Sequence, residues 1–385
     1  MTQQQFADRL GKSKSWVDKV ERGIRRLEKI STIAAIAEAL RIDAAVLMGR
    51  DIESAGTPTR ADAPTPGGTV DRIRVALSTY EVALGGPAVR PSALPPARVA
   101  GSVEHAWSAY ERALYRQLTA LLPDVLTSAQ RIQAQCPDAG RAQLVDAYRV
   151  TAALLVKLGD PDLAWLAADR AIAVATGHPV LVSAAAVQVG QALRAAGRAR
   201  SAMTTMLAAA YRIAPPDLDG GAPEDLSLCG SLIVQAALAA ARLGDDRAVV
   251  ELTDDAADMA ARVGDGRNHH HTGFGPTAVD LARLAAAVEL GEGSSAVAWY
   301  ETASARDGWR WMPPGERAGH LIEVARAYLQ IDAPARAGRA VVDAERLAPA
   351  EVRDRPAARD VLARVVRCRD APDAAVRLAV SLGVG

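Results

Sequence analysis

The stretch that decides the fold is Thr2 to Gly23, TQQQFADRLGKSKSWVDKVERG. Apolar residues recur at helical spacing in each half: Phe6, Ala7 and Leu10, then Trp16, Val17 and Val20. Thr2 reads as the N-cap of a first helix, its hydroxyl accepting from an unpaired N–H one turn in. Gly11 ends that helix, where a left-handed residue is cheapest without a Cβ. Ser13 then caps a second helix, and Gly23 closes it. The spacing therefore predicts two short helices around a tight turn.

The pattern Gln3, Ala7, Gly11, Ser15, Val17, Glu21, Gly23 resembles, without a gap, the Cro-type (XRE) helix-turn-helix of phage and bacterial repressors. The resemblance implies that the second helix enters the DNA major groove. Lys14, Ser15, Asp18 and Lys19 then stand at the family's base-facing positions. Lysine donates to guanine O6 or N7, and serine donates to or accepts from several bases. Asp18 either accepts from cytosine N4 or repels phosphate. Gln3, Lys12, Ser13, Arg22, Arg25 and Arg26 are expected on the DNA backbone, which positions a protein without reading sequence. Trp16 either joins the core or lies against a sugar or a thymine methyl, with the core the better reading of an aromatic at this spacing.

Downstream, a basic loop from Ile24 to Lys29 leads to a helix capped by Ser31, with Ile33, Ile36, Ala37 and Leu40 as its buried stripe. A last turn spans Asp43 to Met48. The first domain is thus residues 1–50. The family's first helix should precede Thr2, so the domain as written lacks one wall and Glu21 lacks the arginine it is usually paired with. A start upstream of Met1 is the expectation.

Charge follows the same division. The whole chain carries a net charge of +0, yet four of its five lysines, Lys12, Lys14, Lys19 and Lys29, lie in the first 29 residues. With Arg9, Arg22, Arg25 and Arg26 they face only Asp8, Asp18, Glu21 and Glu28. A small basic domain on a neutral remainder suits attraction to phosphate.

Half of the residues are hydrophobic, 23% are charged and 4% are aromatic, and alanine and leucine dominate. That bias predicts an all-α protein. Residues 51–102 read as a proline- and glycine-rich linker containing one helix, 71–84. From Val103 to the end, 103–385, the chain reads as helix pairs separated by breaks: Leu158-Gly159-Asp160, Ala196-Gly197-Arg198, Leu243-Gly244-Asp245, Leu290-Gly291-Glu292 and Ile331-Asp332-Ala333. Glycines 159, 197, 244 and 291 are spaced by 38, 47 and 47 residues. Helix pairs with small residues where their axes approach resemble tetratricopeptide repeats of about 34 residues, here loop-expanded into an α-solenoid. The two-part layout, with the segments FGPTAVDLARLAAAVELGE (Phe274 to Glu292) and AERLAPAEVRDRP (Ala344 to Pro356), resembles actinobacterial regulators that join these two parts. It implies regulation through double-stranded DNA, by a homodimer or under a peptide or small-molecule effector.

The run Asn268-His269-His270-His271, among Gly266, Gly273 and Gly275, reads as a loop. Adjacent imidazoles without further ligands make no closed zinc site, so no metal is expected. His269, His270, His271 and Phe274 are candidate ligand contacts in the groove of the repeats. Trp309 and Trp311, beside Pro313 and Pro314, are expected to pack. Cys136, Cys229 and Cys368 are too scattered for a metal site or a disulfide framework and suit a reducing cytoplasm. No leader is expected, because Gln3 to Gln5 and Asp8 stand where its apolar core would lie, and no apolar run reaches the roughly 18–20 residues that span a bilayer. No motif for hydrolysis, nucleotide binding or a dinucleotide cofactor is present, so neither an enzyme nor a cofactor is expected. The rival reading is a protein-interaction scaffold with a degenerate helix-turn-helix.

Overall fold

The computed structural model describes Ala7, Leu10, residues 12–21, Thr32, Ile36, residues 66–78 and residues 95–384. Among them it contains eighteen α-helices and no strand. The chain divides into two compact units, Met1–Ala63 and Pro64–Gly385.

In the first unit, helix α1 spans Lys14–Glu21. Ala7, Val17 and Ile36 are its described buried residues. The turn before α1 is held by the Lys12 N–H, which donates to the Ala7 carbonyl at 2.9 Å.

The second unit begins at Pro64, not at Val103, because two more helices join its core. Helix α2 is Pro66–Leu77, several residues ahead of the expected 71–84. Proline at a first helical position has no N–H to lose and a backbone angle already set for the helix, so Pro66 starts the element rather than ending a linker. Ile73 and Leu77 are fully buried. Helix α3 is Pro96–Glu111, again with proline at its start.

Helix pairs follow: α4 Tyr115–Gln135 and α5 Pro137–Leu158, α6 Pro161–Ala175 and α7 Pro179–Ala195, α8 Ala199–Ile213 and α9 Pro223–Arg242. Next come α10 Asp246–Val263, α11 Pro276–Leu290, α12 Gly293–Ala305, the short α13 Asp307–Trp311, α14 Pro314–Gln330 and α15 Pro334–Leu347. The unit ends with α16 Pro349–Arg353, α17 Pro356–Val366 and α18 Asp373–Leu382.

From α3 to α12 each helix packs on its sequence neighbours, as in a helical solenoid, while α2 packs on α4. Alternate helices from α3 to α11 also touch, and α11 touches α14 across α12 and the short α13, so α3, α5, α7, α9, α11 and α14 form one continuous row. That row closes on itself, because α14 returns to touch α3. A Cβ at Gly315 would lie 2.7 Å from the Glu111 carbonyl oxygen and 3.1 Å from the Ala113 Cβ, so the seam needs a residue without a side chain there.

All five breaks fall between helices on a left-handed residue: Gly159 (φ +81°), Gly197 (+74°), Gly244 (+73°), Gly291 (+83°) and the non-glycine Asp332 (+52°). Two following residues cap the next helix, the Asp160 carboxylate accepting from the Leu163 N–H at 3.1 Å and Asp245 from the Ala248 N–H at 3.0 Å. Alanine supplies the close approach: Ala164, Ala167, Ala168 and Ala171 of α6 are all fully buried. The three cysteines are free thiols. Helix α9 is long and apolar enough to cross a bilayer, and 83% of its most apolar window is buried within this unit. Trp309 is buried and meets Tyr300 edge-on at 5.8 Å, as expected of packing. Trp311 does not: it is 63% exposed.

Candidate functional site

Helix α1 starts as its sequence requires. Ser13 precedes it, and its hydroxyl accepts from the Trp16 N–H at 3.2 Å, pairing an N–H that the first turn leaves open. Val17 points into the small core and is 1% exposed. Helical periodicity then turns Lys14, Ser15 and Lys19 outward, and all three are exposed, while Asp18 is half-buried. Trp16 is half-buried, with the Lys12 ammonium 6.0 Å from its ring centroid. Exposed Lys12 and Ser13 lie at the helix N-terminus, where the backbone dipole and open N–H groups favour an anion. Gln3, Arg22, Arg25 and Arg26 lie outside the described residues, as do the Thr2 cap and the glycines Gly11 and Gly23.

The second unit brings together residues that the sequence did not single out. Along its closed row runs a ladder of alternating charge. Arg242 of α9 meets Glu289 of α11 at 3.4 Å, and Glu289 meets Arg326 of α14 at 3.0 Å. Arg326 also holds Glu323 at 2.6 Å, which lies 3.9 Å from Arg355. Arg355 donates to Glu351 of α16 at 3.2 Å, and the other Glu351 oxygen accepts from Lys157 of α5 at 2.6 Å and from the Tyr115 hydroxyl. The Glu351 side chain is 1% exposed. Its burial favours the neutral acid, but Lys157 and Arg355 outweigh that and hold the carboxyl below its ordinary range. Gly319 leaves room for the cluster: a Cβ there would sit 3.2 Å from the Lys157 Nζ.

Two neighbours of the ladder have displaced titrations. Burial, with the carboxylates of Glu111 and Glu351, pushes Glu316 up to about 7 against the opposing charge of Lys157. Burial and then Lys157 push His320 down to about 4.

The histidine run folds as a short 3₁₀ turn, His269–His271, that straps the row from one side. His270 and His271 both have left-handed backbones, with φ of +53° and +54°. What holds them there is Arg149 of α5, which is 2% exposed and fully engaged. It donates to the His270 carbonyl at 2.6 Å, to Asp146 at 2.6 Å and to Gln188 at 3.0 Å, and lies 5.3 Å from the Trp107 ring centroid. The His271 ring stacks on Trp107 with centroids 4.4 Å apart and lies within 3.9 Å of carboxylates of Glu104 and Glu111. Asn268 anchors the turn to Glu111 at 2.8 Å. These imidazoles are half-buried structural contacts, and among the described residues no three potential metal ligands cluster.

Phe274 corrects the expectation of a groove contact. It is 2% exposed, and its ring lies where a Cβ on Gly230 of α9 would be, 2.1 Å from the Phe274 Cζ. The ring fills the notch in α9 and belongs to the core.

Sequence reasoning missed the ladder because its partners are far apart in the chain. Lys157 and Glu351 are 194 positions apart, and Tyr115 and Glu351 are 236 apart. The available signal was the segment AERLAPAEVRDRP, which carries both Glu351 and Arg355, and FGPTAVDLARLAAAVELGE, which carries Glu289.

Comparison with known proteins follows the division into units. Residues 1–47 match the helix-turn-helix family model HTH_3, and a DNA-binding regulator is the function that this match suggests. No curated protein matches the chain. Among solved structures, the crystal structure of BtubC (BKLC) from P. vanneervenii is similar at 17% identity and a TM-score of 0.40, over 64% of this chain and 91% of that one.

Proposed function

We propose that the protein is a sequence-specific, cytoplasmic transcriptional regulator that reads operator DNA through α1, and that its solenoid of tetratricopeptide-like helix pairs either senses an effector or pairs two copies. The observation that carries this reading is the match of residues 1–47 to a helix-turn-helix family, together with the exposure of Lys14, Ser15 and Lys19 on the helix that follows the turn. Cations at the start of a groove-entering helix supply both donors to guanine and attraction to phosphate. Two copies would address half-sites about one helical turn apart, so the operator would be palindromic.

Gel shifts with DNA from upstream of the protein's own gene test this directly. Lys14→Ala or Lys19→Ala should weaken specific binding by ~1–3 kcal/mol, roughly 5- to 150-fold, and relax preference at one base position. Arg25→Ala should lower affinity for all sequences and reduce the slope of the salt dependence by about one. No retarded band with any fragment, or lysine variants that bind like the parent, would remove the DNA-reading role from α1.

A further inference from the structure

The charged ladder ends on a cation that has no carboxylate oxygen within 4 Å among the described residues. Lys157, Arg242, Arg326 and Arg355 each have a carboxylate oxygen within 4 Å. Arg194 of α7 has none. Its only side-chain acceptor is the Gln235 amide oxygen of α9, at 3.1 Å. Among charges, Arg242 acts on it most strongly, with Glu289 and Glu323 opposing, and the Arg242 Nη1 donates to the Arg194 carbonyl at 2.9 Å and so ties the two residues together. Burial and then Arg242 pull the Arg194 guanidinium down to about 10, which leaves it charged at neutral pH. Glu289, the one carboxylate that Arg242 contacts, is already shared with Arg326. The ladder with Arg194 thus holds five cations against Glu289, Glu323 and Glu351.

A guanidinium has five N–H donors in a planar fork. One of those on Arg194 is used by Gln235. Among the described residues, the only guanidinium nitrogen both sealed from water and without a partner is Nε of Arg317, so the open donors of Arg194 and Arg242 remain reachable. Arg242 is itself 38% exposed. Two arginines from adjacent helices of the closed row, tied by a hydrogen bond and one of them without a carboxylate within 4 Å, offer the donors that the planar or tetrahedral oxygens of an anion accept. A cationic ligand would meet like charge, and an apolar one would strand the donors.

We infer that Arg194 and Arg242 form a binding site for a small oxyanion, a carboxylate or a phosphate group, at the Arg194 end of the interior ladder. This deepens the effector-sensing reading above and names the chemistry of the effector: it is an acid.

The test is thermal melting of the full chain in sodium phosphate and in sodium succinate, each against sodium chloride of equal ionic strength. At least one anion should raise the melting temperature saturably by roughly 2–4 °C, the shift expected when a ligand reaches about ten times its Kd. Phosphate alone, or succinate alone, assigns the group that is read. Arg194→Met keeps the aliphatic stem and removes the charge. Without added anion it should melt at or above the parent temperature, because it deletes an uncompensated cation. It should also lose the response. The site is refuted by no saturable rise above chloride with either anion, by an undiminished rise in Arg194→Met, or by a variant that melts several degrees lower unliganded, which would make Arg194 a structural residue. Gel shifts on the same preparations separate the two readings. Operator binding that ignores an anion which stabilises the protein upholds the site and removes its role in sensing.

Discussion

Replacing Glu316 with glutamine should make the protein more stable at alkaline pH and leave it unchanged near pH 5. Glu316 lies in the first turn of α14, next to the glycine that lets this helix close against α3, and Lys157 is the cation that opposes its displaced titration. Its carboxyl is pushed from 4.5 to about 7 by burial and by Glu111 and Glu351. Across that window the folded protein keeps a proton that the unfolded chain has released. Stability therefore falls as pH rises from about 4.5 to 7 and is flat above. At ~1.4 kcal/mol per unit the displacement amounts to at most about 3 kcal/mol, and water reaching the half-buried carboxylate lowers this to ~1–3 kcal/mol. His320 acts in the opposite sense, since a folded pKa of about 4 against 6.5 takes stability away as pH falls through that range. It is present in parent and variant alike, so it cancels from their difference. Urea titrations followed by far-UV circular dichroism at about pH 5 and about pH 8 read the effect. Glu316→Gln should match the parent at the lower pH and exceed it by ~1–3 kcal/mol at the higher one. A difference of the same size at both pH values, or a weaker variant at pH 8, would show that the carboxyl is not held neutral by the seam.

Three further substitutions probe the packing and the ladder. Glu351→Gln strands Lys157 and Arg355 and should cost ~3 kcal/mol in urea, with partial recovery on adding Lys157→Met; a loss below ~0.5 kcal/mol would mean that the cluster is hydrated rather than buried. Gly230→Ala drives a methyl group into the Phe274 ring and should cost ~1–3 kcal/mol, which Phe274→Leu in the same chain should partly restore, as calorimetric melting would reveal. Asp332→Gly relieves a left-handed backbone at φ +52° and should add ~0.5–1 kcal/mol, so a drop in melting temperature would show that the aspartate side chain matters more than its backbone.

The elements that were legible in the sequence are those governed by local chemistry. A left-handed helix end is decided by one residue and its neighbours, so Gly159, Gly197, Gly244 and Gly291 marked four breaks, and Asp332 the fifth. The Ser13 cap was legible for the same reason. Pro66 misled the reading because proline both interrupts helices and begins them, and the choice is made by what lies behind it, here the buried Ile73 and Leu77. Phe274 sits among glycines and so resembled a loop aromatic, yet its socket is Gly230, a gap in a helix 44 positions earlier. The polar interior was illegible almost entirely. Its residues look like ordinary solvated charges on amphipathic helices, and only the packing of helices distant in sequence turns those faces toward one another.

That interior also bears on why the chain keeps charge where a solenoid needs none. Replacing a buried ion pair by apolar side chains of similar volume is often neutral or stabilising, because desolvation offsets most of the Coulombic attraction. The alanine-rich contacts between the helix pairs already supply a continuous core, from Ala106 of α3 to Ala344 of α15. A ladder kept for stability alone would moreover end in neutral balance, each cation matched by a carboxylate. Among the described residues this one carries Glu351 with two cations, Glu289 with two more, and Arg194 with no carboxylate within 4 Å. An uncompensated guanidinium lowers the stability of the unliganded protein, and an arriving anion recovers that loss on binding. The proposed anion site accounts for the imbalance, because a bound anion would supply the counter-charge that the unliganded ladder lacks.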